Sequence, residues 1–204
     1  MTDHLIQRRP PARNLLAELP EPTPKEYRGE VVPYYPSPLP ATPLNALYRA
    51  VAQVGMNNNT AAGLPVLARE IAQQKPKESQ FYVVLGDGWL SEGKAKKAVA
   101  AYQQAVQLKP DSVSLLDSLA AGLRAEGQTA DAAETFKRAL RVAPEDPITW
   151  FRYGMLDAEA GRNQDAAAKV RKAIALDPSL PEQSRRLGEI LLQSGQPDEA
   201  LAAL

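Results

Sequence analysis

Residues 79–112 read SQFYVVLGDGWLSEGKAKKAVAAYQQAVQLKPDS, and residues 113–146 read VSLLDSLAAGLRAEGQTADAAETFKRALRVAPED. Laid one over the other, the two stretches keep glycine, alanine and proline in step, and 147–180 continues the pattern. Pro76, Pro110, Pro144 and Pro178 follow one another at intervals of 34 residues. So do Gly93, Gly127, Gly161 and Gly195, and Ala98, Ala132, Ala166 and Ala200. A fixed period of this length marks a stacked-repeat architecture. Within each period the spacing predicts two helices. Glycine at position 15 ends the first because it accepts a left-handed backbone, and proline at position 32 stops the second. Small residues at positions 8, 20 and 27 let the two helices approach, while large ones at 4, 7, 11 and 24 fill the remaining space.

Position 4 holds Tyr82, Leu116 and Trp150, position 7 holds Leu85, Leu119 and Tyr153, and position 8 holds Gly86, Ala120 and Gly154. With Ala98, Ala132 and Ala166 and with Tyr102, Phe136 and Val170 at position 24, these residues resemble the tetratricopeptide motif. The resemblance implies an all-α, helical-hairpin solenoid, a right-handed superhelix over 45–204. Its repeats are a divergent capping repeat at 45–78, full repeats at 79–112, 113–146 and 147–180, and a partial repeat at 181–204. In 45–78, Gly55 stands at position 11, Ile71 at 27, and Pro65 falls inside the second helix, where it should kink or delay it. Asn57, Asn58 and Asn59 fit the turn between its helices.

Ten of the 18 prolines lie at or before Pro43. Residues 1–43 therefore read as a Pro-rich extended arm, each proline fixing its own φ and biasing the residue before it. Pro33-Tyr34-Tyr35-Pro36 has PxxP spacing, but its aromatics are expected to cover the open face of the first repeat. At the other end, Leu204 is position 24 of its repeat, which predicts a fragment of a longer protein.

Charge and composition narrow the function. Twenty-four Lys and Arg balance 24 Asp and Glu, so there is no broad field to attract nucleic acid. No apolar run approaches the ~18 residues of a membrane span, so no membrane insertion is expected, and no signal peptide is read. The chain has no cysteine and one histidine, which leaves no disulfide, no Cys-based zinc site and no thiol nucleophile. No nucleophile, base and orienting group can be named together, so no enzyme is expected.

In tetratricopeptide arrays the concave face is lined by the first helices, and the resemblance implies a protein or peptide partner held there. Asp87, Asp117, Phe151, Arg152, Met155, Arg185 and Arg186 are its candidate residues. Arg152 and Arg186 share position 6 of successive repeats and are expected to face one groove as like charges, relieved by an acidic, partly apolar peptide. The competing expectation is that Glu182 and Glu189 already neutralise them. The carboxylate clamp of chaperone-binding members is not matched, because Arg49 and Gln53 are followed by Val84, Ser114 and Ser118. Lys94, Lys96 and Lys97 cluster at the start of a second helix and are expected to form a solvated turn.

A second resemblance surrounds His4. MTDHLIQRRPPARNLL is similar to the stretch after the last CxxCH motif of bacterial multihaem c-type cytochromes fused to C-terminal tetratricopeptide repeats. It implies that His4 would lie near haem, as an axial ligand, in a longer periplasmic or exported electron-transfer protein. Without cysteine, no c-type haem can be attached covalently to this chain, and no cofactor is expected in it.

Overall fold

The computed structural model describes residues 40, 42–55, 60–179 and 181–203, of which residue 181 only in its backbone. Residues 1–39 of the Pro-rich arm, with His4, Tyr34 and Tyr35, and the Asn57–Asn59 triplet lie outside the described residues.

The described residues form ten helices in chain order: α1 (Pro43–Gly55), α2 (Thr60–Gln74), α3 (Ser79–Ser91), α4 (Ala95–Leu108), α5 (Val113–Ala125), α6 (Thr129–Val142), α7 (Pro147–Glu159), α8 (Asn163–Leu176), α9 (Pro181–Gln193) and α10 (Pro197–Ala202). Among the described residues there is no strand. In every repeat from residue 79 onward the first helix covers positions 1–13, and in the three full repeats the second covers positions 17–30. Pro43 lies at the head of α1, where the fixed φ of proline suits a helix start.

The punctuation has the expected physical cause. Gly93, Gly127, Gly161 and Gly195 have φ of 68°, 83°, 74° and 72°. In each of these turns the amide after the glycine donates to the carbonyl five residues earlier, Lys94 to Trp89, Gln128 to Leu123, Arg162 to Asp157 and Gln196 to Leu191, at 2.8 to 2.9 Å. This is the Schellman closure of a helix C-terminus. The second helices of the three full repeats end two residues before the proline, whose predecessor has left the helical region: Lys109, Ala143 and Asp177 have φ of −140°, −132° and −142°. The first repeat departs from this. Lys75 has φ of 46° before Pro76, and α2 begins at Thr60 and runs through Pro65, so the proline does not delay the helix.

Ala98, Ala105, Ala120, Ala132, Ala139, Ala166 and Ala173 are all completely buried. They allow each hairpin to close, and the large residues close the gaps. A Cβ on Gly86 would lie 2.5 Å from Cε1 of Tyr102, and one on Gly154 would lie 2.9 Å from Val170. Position 8 thus packs directly under position 24. The core is one chain of clusters running between neighbouring hairpins, in which each second helix also packs on the next first helix. The first helices touch one another as well, α1 with α3, α3 with α5 and α5 with α7. They form the closely spaced row of the solenoid and so its inner side.

Candidate functional site: the inner face

The local sequence that opens α7 builds the centre of the inner face. Asp146 precedes the helix in extended geometry and its Oδ2 accepts from the Thr149 amide at 2.7 Å, while Pro147 occupies the first turn. This N-cap fixes Thr149, which is fully buried, so that its hydroxyl donates to Asp117 Oδ1 on α5 at 2.9 Å. One turn on, Arg152 Nη1 donates to Asp117 Oδ2 at 3.1 Å. Asp117 is thus buried, at 3% exposure, and held from both oxygens. Burial pushes its carboxyl above the ordinary aspartate value, and the bond from Thr149 and the charge of Arg152 oppose that shift.

A second inter-repeat pair joins the far ends of the same helices. Arg124 Nη1 on α5 lies 3.3 Å from Glu159 Oε1 on α7. At the other side of α3, Asp87 is exposed and accepts a bond of 2.6 Å from the Tyr102 hydroxyl. Burial, and then Asp87 itself, raises the Tyr102 phenol well above its ordinary value. Asp87 also lines a hollow of about 370 Å³ with Val84 and Ser91 between α1 and α3.

On α9 the charges form a closed set. Arg185 donates to Glu182 through Nε at 3.1 Å and Nη2 at 2.6 Å, and its Nη1 to Glu189. Arg186 Nε reaches Glu182 at 3.0 Å and its Nη1 reaches Glu189 at 2.9 Å. The bond from Arg185 holds the Glu182 carboxyl below its usual range, and Glu182 in turn raises Arg185.

These contacts correct several expectations. Asp117 is not open groove surface; it is an internal anchor for Thr149 and Arg152. Arg152 and Arg186 are not a naked like-charged pair, since Arg152 is held by Asp117 and Arg186 by Glu182 and Glu189. Carboxylates three and four residues away on one helix are within reach of any arginine, so the competing expectation describes α9. Phe151 and Met155 are half-buried and pack against the cluster containing Leu187, Ile190 and Leu191, so only part of each side chain faces outward. Arg185 keeps half of its side chain exposed. Lys94 and Lys97 stack over the Trp89 ring at 5.0 and 4.5 Å, and Lys94 also lies 3.8 Å from Glu92, so these two lysines do more than solvate a turn.

One residue of consequence was missed by pattern. Position 11 is large and apolar in Trp89, Leu123 and Leu191, but it is Asp157 in the repeat 147–180. Asp157 is 3% exposed. Its Oδ1 accepts from Arg162 Nε at 3.0 Å and Nη2 at 2.6 Å, and Lys169 Nζ is 2.5 Å from its Oδ2. Lys169 also sits 4.6 Å from the Tyr153 ring centre. The departure from an apolar position 11 was a readable signal; the two cations that compensate it were not.

The family model for the tetratricopeptide repeat matches residues 49–113 and 119–181. No curated protein sequence matches the chain. Among solved structures, MamA from Desulfovibrio magneticus RS-1 is similar with a TM-score of 0.67 at 16% identity, over 79% of this chain and 90% of that one. A thermophilic TPR protein of Thermus thermophilus has a TM-score of 0.61 at 24% identity, over 79% and 88%. YrrB, a TPR protein with an unusual peptide-binding site, has 0.60 at 17%, over 79% and 82%. At these identities the likeness is one of fold.

Proposed function

The chain belongs to the tetratricopeptide repeat family, and from that premise we propose that it is a non-catalytic interaction scaffold that holds a partner peptide or helix along its inner face. The observation that carries this reading is the set of arginines on α7 and α9. Side-chain exposure is 48% for Arg152, 50% for Arg185 and 40% for Arg186, so all three are covered on one side and open on the other. The partners of Arg185 and Arg186 are exposed carboxylates, and such solvent-screened pairs are weak. An incoming carboxylate therefore exchanges with Glu182 or Glu189 at little cost. Arg152 binds Asp117 through Nη1, and a guanidinium has further donors to offer. An acidic peptide with an apolar side chain against the outward parts of Phe151 and Met155 meets this surface.

Charge reversal tests the reading, with one restriction. Arg152→Glu would set a second carboxylate beside buried Asp117 and disturb the fold, so the clean variant is Arg185→Glu with Arg186→Glu. Partners captured from cells by crosslinking and identified by mass spectrometry should fall about tenfold or more, with circular dichroism unchanged. Equal capture by the folded variant refutes groove binding at these arginines. The alternative, in which the repeats are the C-terminal portion of an exported multihaem electron-transfer protein, rests on the sequence around His4. No helix among the described residues is long and apolar enough to cross a membrane.

A further inference from the structure

The full repeats place large residues of the second helix at positions 24 and 28: Tyr102 with Val106, Phe136 with Leu140, and Val170 with Ile174. The first repeat has Ala68 and Ala72 there, and carries its bulk instead at Leu64 and Ile71, where the other repeats have alanine. Moving bulk along a helix fills one side and empties another. The emptied side is a cleft of about 780 Å³ between α2 and α4, walled by Ala68 and Ala72 and floored by Leu85 and Trp89 of α3. Its lining is largely apolar. Among the described residues, Lys75 and Lys97 are the charged ones on it, and no carboxylate lines it. The cleft lies on the second-helix side of the hairpins, apart from the arginines of α7 and α9, none of which lines it.

We propose that this cleft is a second docking site, taken by an acidic segment of a partner protein that lays a large apolar side chain on Trp89 and places carboxylates at Lys75 and Lys97. Charge complementarity decides between occupants. Lys97 already lies 4.5 Å from the Trp89 ring centre, so an aromatic floor and a cation are presented together to one ligand. Within the chain's own arm, residues 31–42, VVPYYPSPLPAT, carry no carboxylate, and in the stretch before them Glu26 and Glu30 are balanced by Lys25 and Arg28, so the arm brings no net negative charge to the two lysines.

The test uses the full chain and a phage-displayed library of random peptides, followed by calorimetric titration of the selected peptides made synthetically. Selected peptides should combine aromatic or large aliphatic residues with Asp or Glu. Their affinity should fall about tenfold or more in Ala72→Phe, which fills the cleft, and in Lys97→Glu, which reverses its charge. Arg185→Glu with Arg186→Glu should leave that affinity unchanged, so loss of the inner-face reading and loss of this one are separable. Ala72 and Lys97 are both exposed, so the thermal midpoints of their variants should stay close to that of the parent chain. The proposal is overturned if no selected peptide distinguishes Ala72→Phe from the parent, if the peptides lack acidic residues or resemble residues 31–42, or if sedimentation shows a dimer that Ala72→Phe dissociates.

Discussion

Replacing Gly86 by alanine should destabilise the protein, although alanine is the better helix former. The added Cβ would lie 2.5, 2.7 and 2.8 Å from Cε1, Cδ1 and Cζ of Tyr102, where carbon atoms prefer about 3.5–4.0 Å. The ring must therefore retreat by roughly 1 Å. It has little room, because Gly122 of α5 is close on its other side, where a Cβ would lie 3.0 Å from Cδ2. It is also pinned by its 2.6 Å bond to Asp87. Losing a bond to a charged acceptor costs about 1.5–3 kcal/mol, overpacking costs about 1–3, and the two overlap because one movement causes both. The gain in helix propensity returns about 1 kcal/mol. The net expectation is a loss of about 1–3 kcal/mol, or roughly 2–12 °C in thermal midpoint for a chain of this size. The next repeat shows how the strain can be relieved: its corresponding pair is Ala120 with Phe136, whose ring lacks a hydroxyl to pin it. Gly86→Ala with Tyr102→Phe should consequently be less destabilised than the sum of the single variants, by about 1 kcal/mol. Urea unfolding followed by circular dichroism measures all four corners of the cycle. A Gly86→Ala variant as stable as the parent, or strict additivity, would show that the packing of position 8 under position 24 is wrongly described.

Asp157→Ala should cost about 3 kcal/mol, at the low end for breaking a buried pair because Arg162 is 45% exposed and can be hydrated. Asp157→Leu with Lys169→Met, which restores an apolar position 11 and removes the more covered cation, should recover most of that loss in urea unfolding; failure to recover any would place the cost elsewhere. The raised carboxyl of Asp117 has a defined sign in pH: above the ordinary value of 3.8 the folded chain holds its proton longer than the unfolded chain. Its contribution to stability therefore falls as pH rises through that value toward the folded pKa. Relative to Asp117→Asn, the parent chain should gain thermal stability on going from neutral pH down toward pH 4, and a difference between the two that is flat in pH would refute the burial of an ionisable carboxyl at this position.

What could be read from the amino-acid order alone was everything that depends on residue type at a fixed spacing. The period of 34, the left-handed glycines at position 15, the helix stops before Pro110, Pro144 and Pro178, and the alanines that let hairpins close are local matters of backbone freedom and side-chain size, so the residue names suffice. They also sufficed to place Arg185 and Arg186 beside Glu182 and Glu189, since three or four residues along a helix bring side chains together. Only the tertiary structure decided which side chains meet between helices, within a repeat and from one repeat to the next. Asp117 is turned inward because Thr149 and Arg152, 32 and 35 residues later, arrive on the adjacent helix with the donors it needs. Asp157 occupies an apolar position because Arg162 and Lys169 close over it, and Phe151 and Met155 are drawn into the core because the cluster formed by α8 and α9 packs against them. The cleft beside Trp89 belongs to the same class: the exchanges between alanine and bulk at Leu64, Ala68, Ile71 and Ala72 are visible in the order of residues, but where the displaced volume opens is set by how α2 and α4 pack on α3. Side-chain partners separated by a whole repeat are fixed by stacking, and a one-dimensional pattern carries no measure of that distance.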